Sequence, residues 1–89
     1  MNSPSEDIQA PDTAPGPYYV SIVDGGRLCL ALGPFRTHAP AIAAVSPVRT
    51  YCNRMDGRCH FMTFGTVRVT DGTDTPGRLN DRLPHLLQP

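Results

Sequence analysis

Three cysteines, Cys29, Cys52 and Cys59, and three histidines, His38, His60 and His85, are the side chains best suited to metal or nucleophilic chemistry. Structural zinc sites usually pair their ligands in Cys-x-x-Cys clusters. Cys52, Cys59 and His60 crowd together, yet no such cluster exists in the chain. No metal is expected. A thiol nucleophile needs a base beside it, itself held in place. Cys59 and His60 are consecutive, and consecutive strand residues point to opposite faces. Asp24 and Asp56 both precede glycine and have turn-forming roles open to them. Asp24-Gly25-Gly26-Arg27 has the glycines of a phosphate loop, but it joins two strand-like stretches and opens no helix. The chain is read as non-enzymatic, with no catalytic residue and no cofactor.

Binding chemistry has more material. All eight basic residues are arginine, whose planar fork takes carboxylate or phosphate bidentately. Arg36, Arg49, Arg54 and Arg58 lie in or beside one predicted helix, with His38 at its entrance, and Arg68 follows in a strand. The aromatics Tyr18, Tyr19, Phe61 and Phe64 lie on predicted strands, where they either stack bases or fill a core. Two readings follow. Arg36, His38, Arg49, Arg54 and Arg58, with Tyr19 and Phe64, form a docking surface for a protein partner or a second copy of the chain. Alternatively, the arginines carry a nucleic-acid interface.

The elements that must position these groups are few. Eighty-nine residues hold one domain at most. Residues 1–17 have four prolines and one large aliphatic side chain, Ile8, and are expected to be a disordered leader. Residues 71–89, with Gly72, Pro76, Gly77 and Pro84, are expected to be a flexible tail. Residues 18–70 remain as the folding unit. Within it, six arginines face two aspartates, although the whole chain is formally neutral. A basic centre behind an acidic leader suits an anionic partner. An odd cysteine number argues against a disulfide framework. No apolar export segment and no membrane-length run occur, so a cytoplasmic location without membrane contact is expected.

Tyr18–Asp24 is β-branched and aromatic and reads as a strand. Gly25-Gly26 suits a tight hairpin turn. Leu28–Leu32 pairs back, with Leu28, Leu30 and Leu32 on one face and Cys29 and Ala31 on the other. Gly33-Pro34-Phe35 ends that strand or places Pro34 at an edge. Thr37 is the expected N-cap. Ile42, Val45, Val48, Cys52 and Met55 recur at helical spacing, which predicts one helix from His38 to Met55, kinked at Pro47. Gly57 is the expected left-handed stop. His60–Val69 reads as the third strand, with a bulge or a close backbone approach at Gly65. Leu79, Leu83, Leu86 and Leu87 outline a short helix that Pro84 interrupts. The fold class is α+β: a three-stranded antiparallel sheet with one kinked helix, ββαβ. If Tyr18, Val20 and Ile22 face that helix, Tyr19, Val23, Met62 and Phe64 form a bare apolar face that asks for a partner.

Over residues 18–69, the Tyr18-Tyr19-Val20 strand, the Asp24-Gly25-Gly26 turn, the Gly33–His38 step and the Phe64–Val69 ending resemble small accessory proteins of proteobacterial plasmids and integrative elements. That resemblance implies a mobile-element accessory role, acting on a host defence or regulatory complex. It implies no chemistry. This chain departs from the pattern in carrying Pro40 and Pro47 in its helix. The stretch Gly33–Val45 also resembles the strand-to-helix step of SPOR-type domains, which implies glycan binding; that family doubles its βαβ unit, and here there is one.

Overall fold

The computed structural model describes residues 13–70 and 75–87. Strand β1, Tyr18–Asp24, turns at Gly25-Gly26 into β2, Arg27–Phe35. Helix α1, His38–Met55, a 3₁₀ turn at Gly57–Phe61, β3, Thr63–Arg68, and a second 3₁₀ turn at Pro84–Leu87 follow. The sheet is antiparallel with β1 in the middle, in the order β2-β1-β3. This is the expected α+β, ββαβ architecture. α1 lies across one face of the sheet.

β2 is longer than expected. It runs through Gly33 and Pro34 to Phe35 because two bulges bend it. Tyr18 pairs with Phe35 and Val20 with Leu32, so Tyr19 alone faces Gly33 and Pro34; Ala31 is the second extra residue. A bulge inserts a residue and reverses which face the next side chain meets. The expected alternation of leucines therefore fails. Leu32 is buried under α1 beside Val20, whereas Leu28 is 57% exposed. Gly33 has φ 142°, and a Cβ there would lie 2.8 Å from both the Tyr18 carbonyl oxygen and Tyr19 Cδ2. Only glycine fits that bend.

α1 is one helix across Pro47, whose exposed position puts its ring on the solvent side. Its buried residues are His38, Ala41, Ala44, Val48 and Cys52. The apolar stripe is thus rotated from the expected one: Met55 is exposed, and Ile42 and Val45 are half-buried. Small Ala41 and Ala44 let the helix backbone approach the sheet closely. Thr37 occupies the N-cap position, but its side chain makes no capping bond.

Gly57 does not adopt the left-handed stop. Among the described glycines only Gly25 and Gly33 have positive φ. Asp56 instead ends α1 in an extended conformation, and its carboxylate accepts the Arg58 amide. An aspartate used in this way starts a new turn. Gly57–Phe61 is therefore a 3₁₀ turn, and β3 begins only at Thr63. The expected irregularity at Gly65 is absent: β1 and β3 pair in unbroken register, and a Cβ on Gly65 would meet only Ser21 Oγ at 3.9 Å.

The fold extends past residues 18–70 at both ends. Gly16 N donates to Arg36 O (2.8 Å), Val69 N to Pro17 O (3.0 Å) and Tyr18 OH to Ala14 O (2.8 Å). A proline-rich stretch donates few hydrogen bonds but keeps every carbonyl as an acceptor. From the expected flexible tail, Gly77 N, Arg78 N and Leu79 N donate to Gly33 O, Leu30 O and Ala31 O at 3.0, 3.0 and 2.7 Å. Asn80 Oδ1 accepts from Gly33 N while its Nδ2 donates to Gly33 O. Leu83 is buried in the core cluster, with Leu79, Leu86 and Leu87 packed against it. Residues 77–83 are thus a strap over the outer edge of β2. The remainder of the expected leader and tail, residues 1–12, 71–74 and 88–89, lies outside the described residues.

Candidate interaction surface

The two faces of the sheet are set by register. Ile22, Val20 and Tyr18 stand opposite Phe64, Thr66 and Arg68, so these six share the face that α1 covers. Tyr19, Ser21, Val23, Thr63, Gly65 and Val67 share the other. Tyr19 and Phe64, expected together on a bare face, are on opposite sides of the sheet. Tyr19 is fully buried and its hydroxyl donates to Thr75 O at 2.6 Å. Phe64 is half-buried beneath α1, with the Arg49 guanidinium carbon 5.6 Å from its ring centroid. Met62 is packed against the core cluster, and Ser21 is buried. The expected platform is therefore largely filled in. The aromatic side chain most open to solvent is Phe61, 89% exposed in the first 3₁₀ turn.

His38 turns inward. It is 8% exposed, stacked on Tyr18 with ring centroids 4.6 Å apart and planes at 12°, and its Nε2 lies 2.7 Å from Thr66 Oγ1. A hydroxyl beside an imidazole is the first half of a nucleophile–base pair. Here the pair lies under α1 and lines neither of the grooves described below. It works as a tether from the start of α1 to β3.

The arginines are exposed but dispersed. Arg49 and Arg54 lie five positions apart, about 140° around the helix. Arg49 sits over β3. Arg54 is in the last turn, where its charge suits the helix dipole. Arg58 forks onto Asp56, its Nη2 2.8 Å from Oδ2. Those hydrogen bonds hold the Asp56 carboxyl below its usual range and push the guanidinium upward. Arg36 is at the other end of the molecule, beside a shallow apolar groove of about 390 Å³ formed with Pro15, Pro17, Pro34 and Phe35. A larger open groove of about 630 Å³ lies near the hairpin, with Asp24, Arg27 and Arg78 on its rim. Arg36, Arg49, Arg54 and Arg58 do not converge.

Burial pushes the Cys52 thiol up to about 11, helped first by Cys59 and then by Cys29. Such a thiol is a weak nucleophile at neutral pH. Among the described residues no group of three side chains is placed to hold a metal ion, and no helix is long and apolar enough to cross a membrane.

The sheet edges carry a feature that strand patterns could not reveal. Val69 N donates to Pro17 O, and in an antiparallel pair every second couple exchanges both backbone bonds. Thr63, Gly65 and Val67 therefore direct their backbone groups to β1. Phe64, Thr66 and Arg68 direct theirs outward. Among the described residues nothing pairs with them, whereas the outer edge of β2 is closed by the strap. Arg49, over Phe64, and exposed Arg68, with Nε on Pro15 O at 2.8 Å, flank the open row. Strand order would have located this edge, but the sequence pattern alone does not give the order. Compared with known families, with curated proteins and with solved structures, the chain matches none.

Proposed function

We propose that the chain is a non-catalytic interaction protein that docks an extended segment of a protein partner along the outer edge of β3. In keeping with its resemblance to mobile-element proteins, it acts as an accessory factor on a host defence or regulatory complex. The observation that carries this reading is the asymmetry of the edges. An unpaired strand edge templates pairing with another chain, and proteins usually cover it, charge it or bend it away. Here β2 is covered by a dedicated strap held by three backbone bonds and by both polar atoms of the Asn80 side-chain amide. β3 is open across Phe64, Thr66 and Arg68. Strand addition at such an edge takes its affinity from main-chain bonds and its specificity from alternate side chains.

The nucleic-acid reading has less support. Single-strand binding needs several aromatic faces open for stacking, and Tyr18 and Tyr19 are buried while Phe64 is covered by Arg49, which leaves only Phe61 of the four candidates open.

The test compares Thr66→Pro with Thr66→Val. Both remove the hydroxyl, but only proline removes an outward N–H from the edge. A partner purified with the wild-type chain from its host should be retained by Thr66→Val and lost by Thr66→Pro. In the wild-type complex the amides of Phe64, Thr66 and Arg68 should become protected from hydrogen exchange. Equal capture by both variants, with those amides still exchanging freely, refutes edge docking.

A further inference from the structure

The occupant of this edge can be specified further, an inference that rests on the reading just given. We propose that the β3 edge selects an extended segment with acidic residues four positions apart, flanking two apolar residues around a small polar one. The pattern follows from what each position of β3 presents. On the α1 side, an added strand would lie beside Phe64 with Arg49 over it, then Thr66, then Arg68. Residues opposite the first and last of these meet a guanidinium each, and the two are four positions apart along the strand. On the other side of the sheet, Gly65 has no side chain and a Cβ there would meet only Ser21 Oγ at 3.9 Å, so the site beside it is vacant. Val67 is its half-buried neighbour. Large apolar side chains on the incoming strand fit beside Gly65 and Val67, because cross-strand neighbours on one face pack together.

The same geometry disfavours a second copy. Two β3 strands related by a two-fold axis through Thr66 would place Arg68 of each chain opposite Phe64 of the other. Arg68 would then lie beside Arg49, and like charges set opposite one another are destabilising. A self-pairing edge would bring two arginines together at each end. An acidic strand brings a carboxylate to each.

The experiment uses the full chain, ¹⁵N-labelled, and two synthetic peptides. One contains the run Asp-Val-Thr-Val-Asp; the other has Asn in place of both Asp. The Asp peptide should bind at least threefold tighter and protect the amides of Phe64, Thr66 and Arg68. Arg49→Gln and Arg68→Gln should each weaken it about twofold to fivefold, the range of exposed ion pairs, and leave the Asn peptide unaffected. Equal binding of the two peptides with the same amides protected overturns the acidic preference and leaves edge docking standing. Protection of other amides instead, with those three still exchanging, overturns both. A dimer in sedimentation that Thr66→Pro disperses identifies a second copy as the occupant. Binding that appears only after deletion of residues 1–12 identifies the acidic leader. Either result overturns the proposal.

Discussion

Replacing Gly77 by alanine tests whether the strap is part of the fold. A Cβ at this position would stand 2.5 Å from Leu32 Cα, 2.6 Å from Leu32 N and 2.8 Å from Ala31 C. All three atoms are backbone, so no flexible side chain can swing aside. Ordinary carbon contacts begin at about 3.5 Å, which requires the strap to retreat by about 1 Å. The bonds from Gly77, Arg78 and Leu79 are 2.7–3.0 Å long, and at about 1 Å longer they pass the limit of useful hydrogen bonds. Losing three at about 1 kcal/mol each, with partial exposure of Leu83, gives a destabilisation of about 2–4 kcal/mol. Against a total of about 5–10 kcal/mol for a small domain, that is a large fraction. In urea the midpoint should fall by about 1–3 M, and the Arg78 and Leu79 amides should lose their exchange protection. Asn80→Ala, which removes bonds without a clash, should cost about 1–2 kcal/mol. Thr75→Ala, which touches only a residue whose backbone oxygen is used, should change nothing. An unaltered midpoint for Gly77→Ala with Arg78 and Leu79 still protected refutes the packing of strap on β2.

The His38–Thr66 tether should respond as a pair. Thr66→Val alone costs about 1–2 kcal/mol, because a buried ring nitrogen loses this partner, and a double-mutant cycle with His38→Phe should recover much of that cost. Cys52 makes stability fall in alkali. Its folded value is raised from 9.0 to about 11, so its contribution is complete below pH 9 and is lost as pH rises towards 11. Thermal melts between these limits should decline for the wild type and less steeply for Cys52→Ala. Asp56 has the opposite sign: its value is lowered by Arg58, so its contribution is present above the usual carboxylate range and is lost as pH falls through its own lowered value. An NMR titration should place its midpoint below those of unpaired aspartates. Asn53 Oδ1 is buried without a hydrogen-bond partner, so Asn53→Ala in mid-helix should raise stability by about 0.5–1 kcal/mol, read as a higher urea midpoint.

Much of the scaffold was legible from local signals. β1 and the Gly25-Gly26 hairpin carry strong strand and turn chemistry, and α1 begins and ends within the expected residues despite Pro47. What escaped was whatever depends on contacts distant in sequence. The bulge at Ala31 leaves no local mark, yet it decides that Leu32 is buried and Leu28 is not. The strap looked like a loose tail because Gly77 and the flanking Pro76 and Pro84 resemble a linker. Only β2 shows that Gly77 is required by close approach. The leucines at 79, 83, 86 and 87 were the available clue, since a solvated tail has no use for four of them. Among the candidate residues, His38 and Tyr19 were drawn inward by partners distant in sequence, Thr66 for His38 at 28 positions and Thr75 for Tyr19 at 56. Phe64 was assigned to the wrong face because the alternation within β3 does not reveal its register against β1; pairing with Ile22 fixes its orientation.

The central position of β1 has a kinetic consequence. Its pairing with β2 is local, closed by a two-residue turn, but its pairing with β3 joins Tyr18 to Arg68 and Val23 to Thr63. Contacts so distant in sequence are slow to form, because the intervening chain must first be ordered. During refolding the hairpin should gather under the nascent helix before β3 arrives. In that interval β1 is itself a vacant edge, and its Tyr18-Tyr19-Val20 run is apolar. A strand with β3's complement of groups, added in excess during refolding, would compete for β1 and be trapped there. Refolding yield should therefore fall with protein concentration more steeply than the stability of the finished fold would suggest, the loss arising before β3 has closed the sheet.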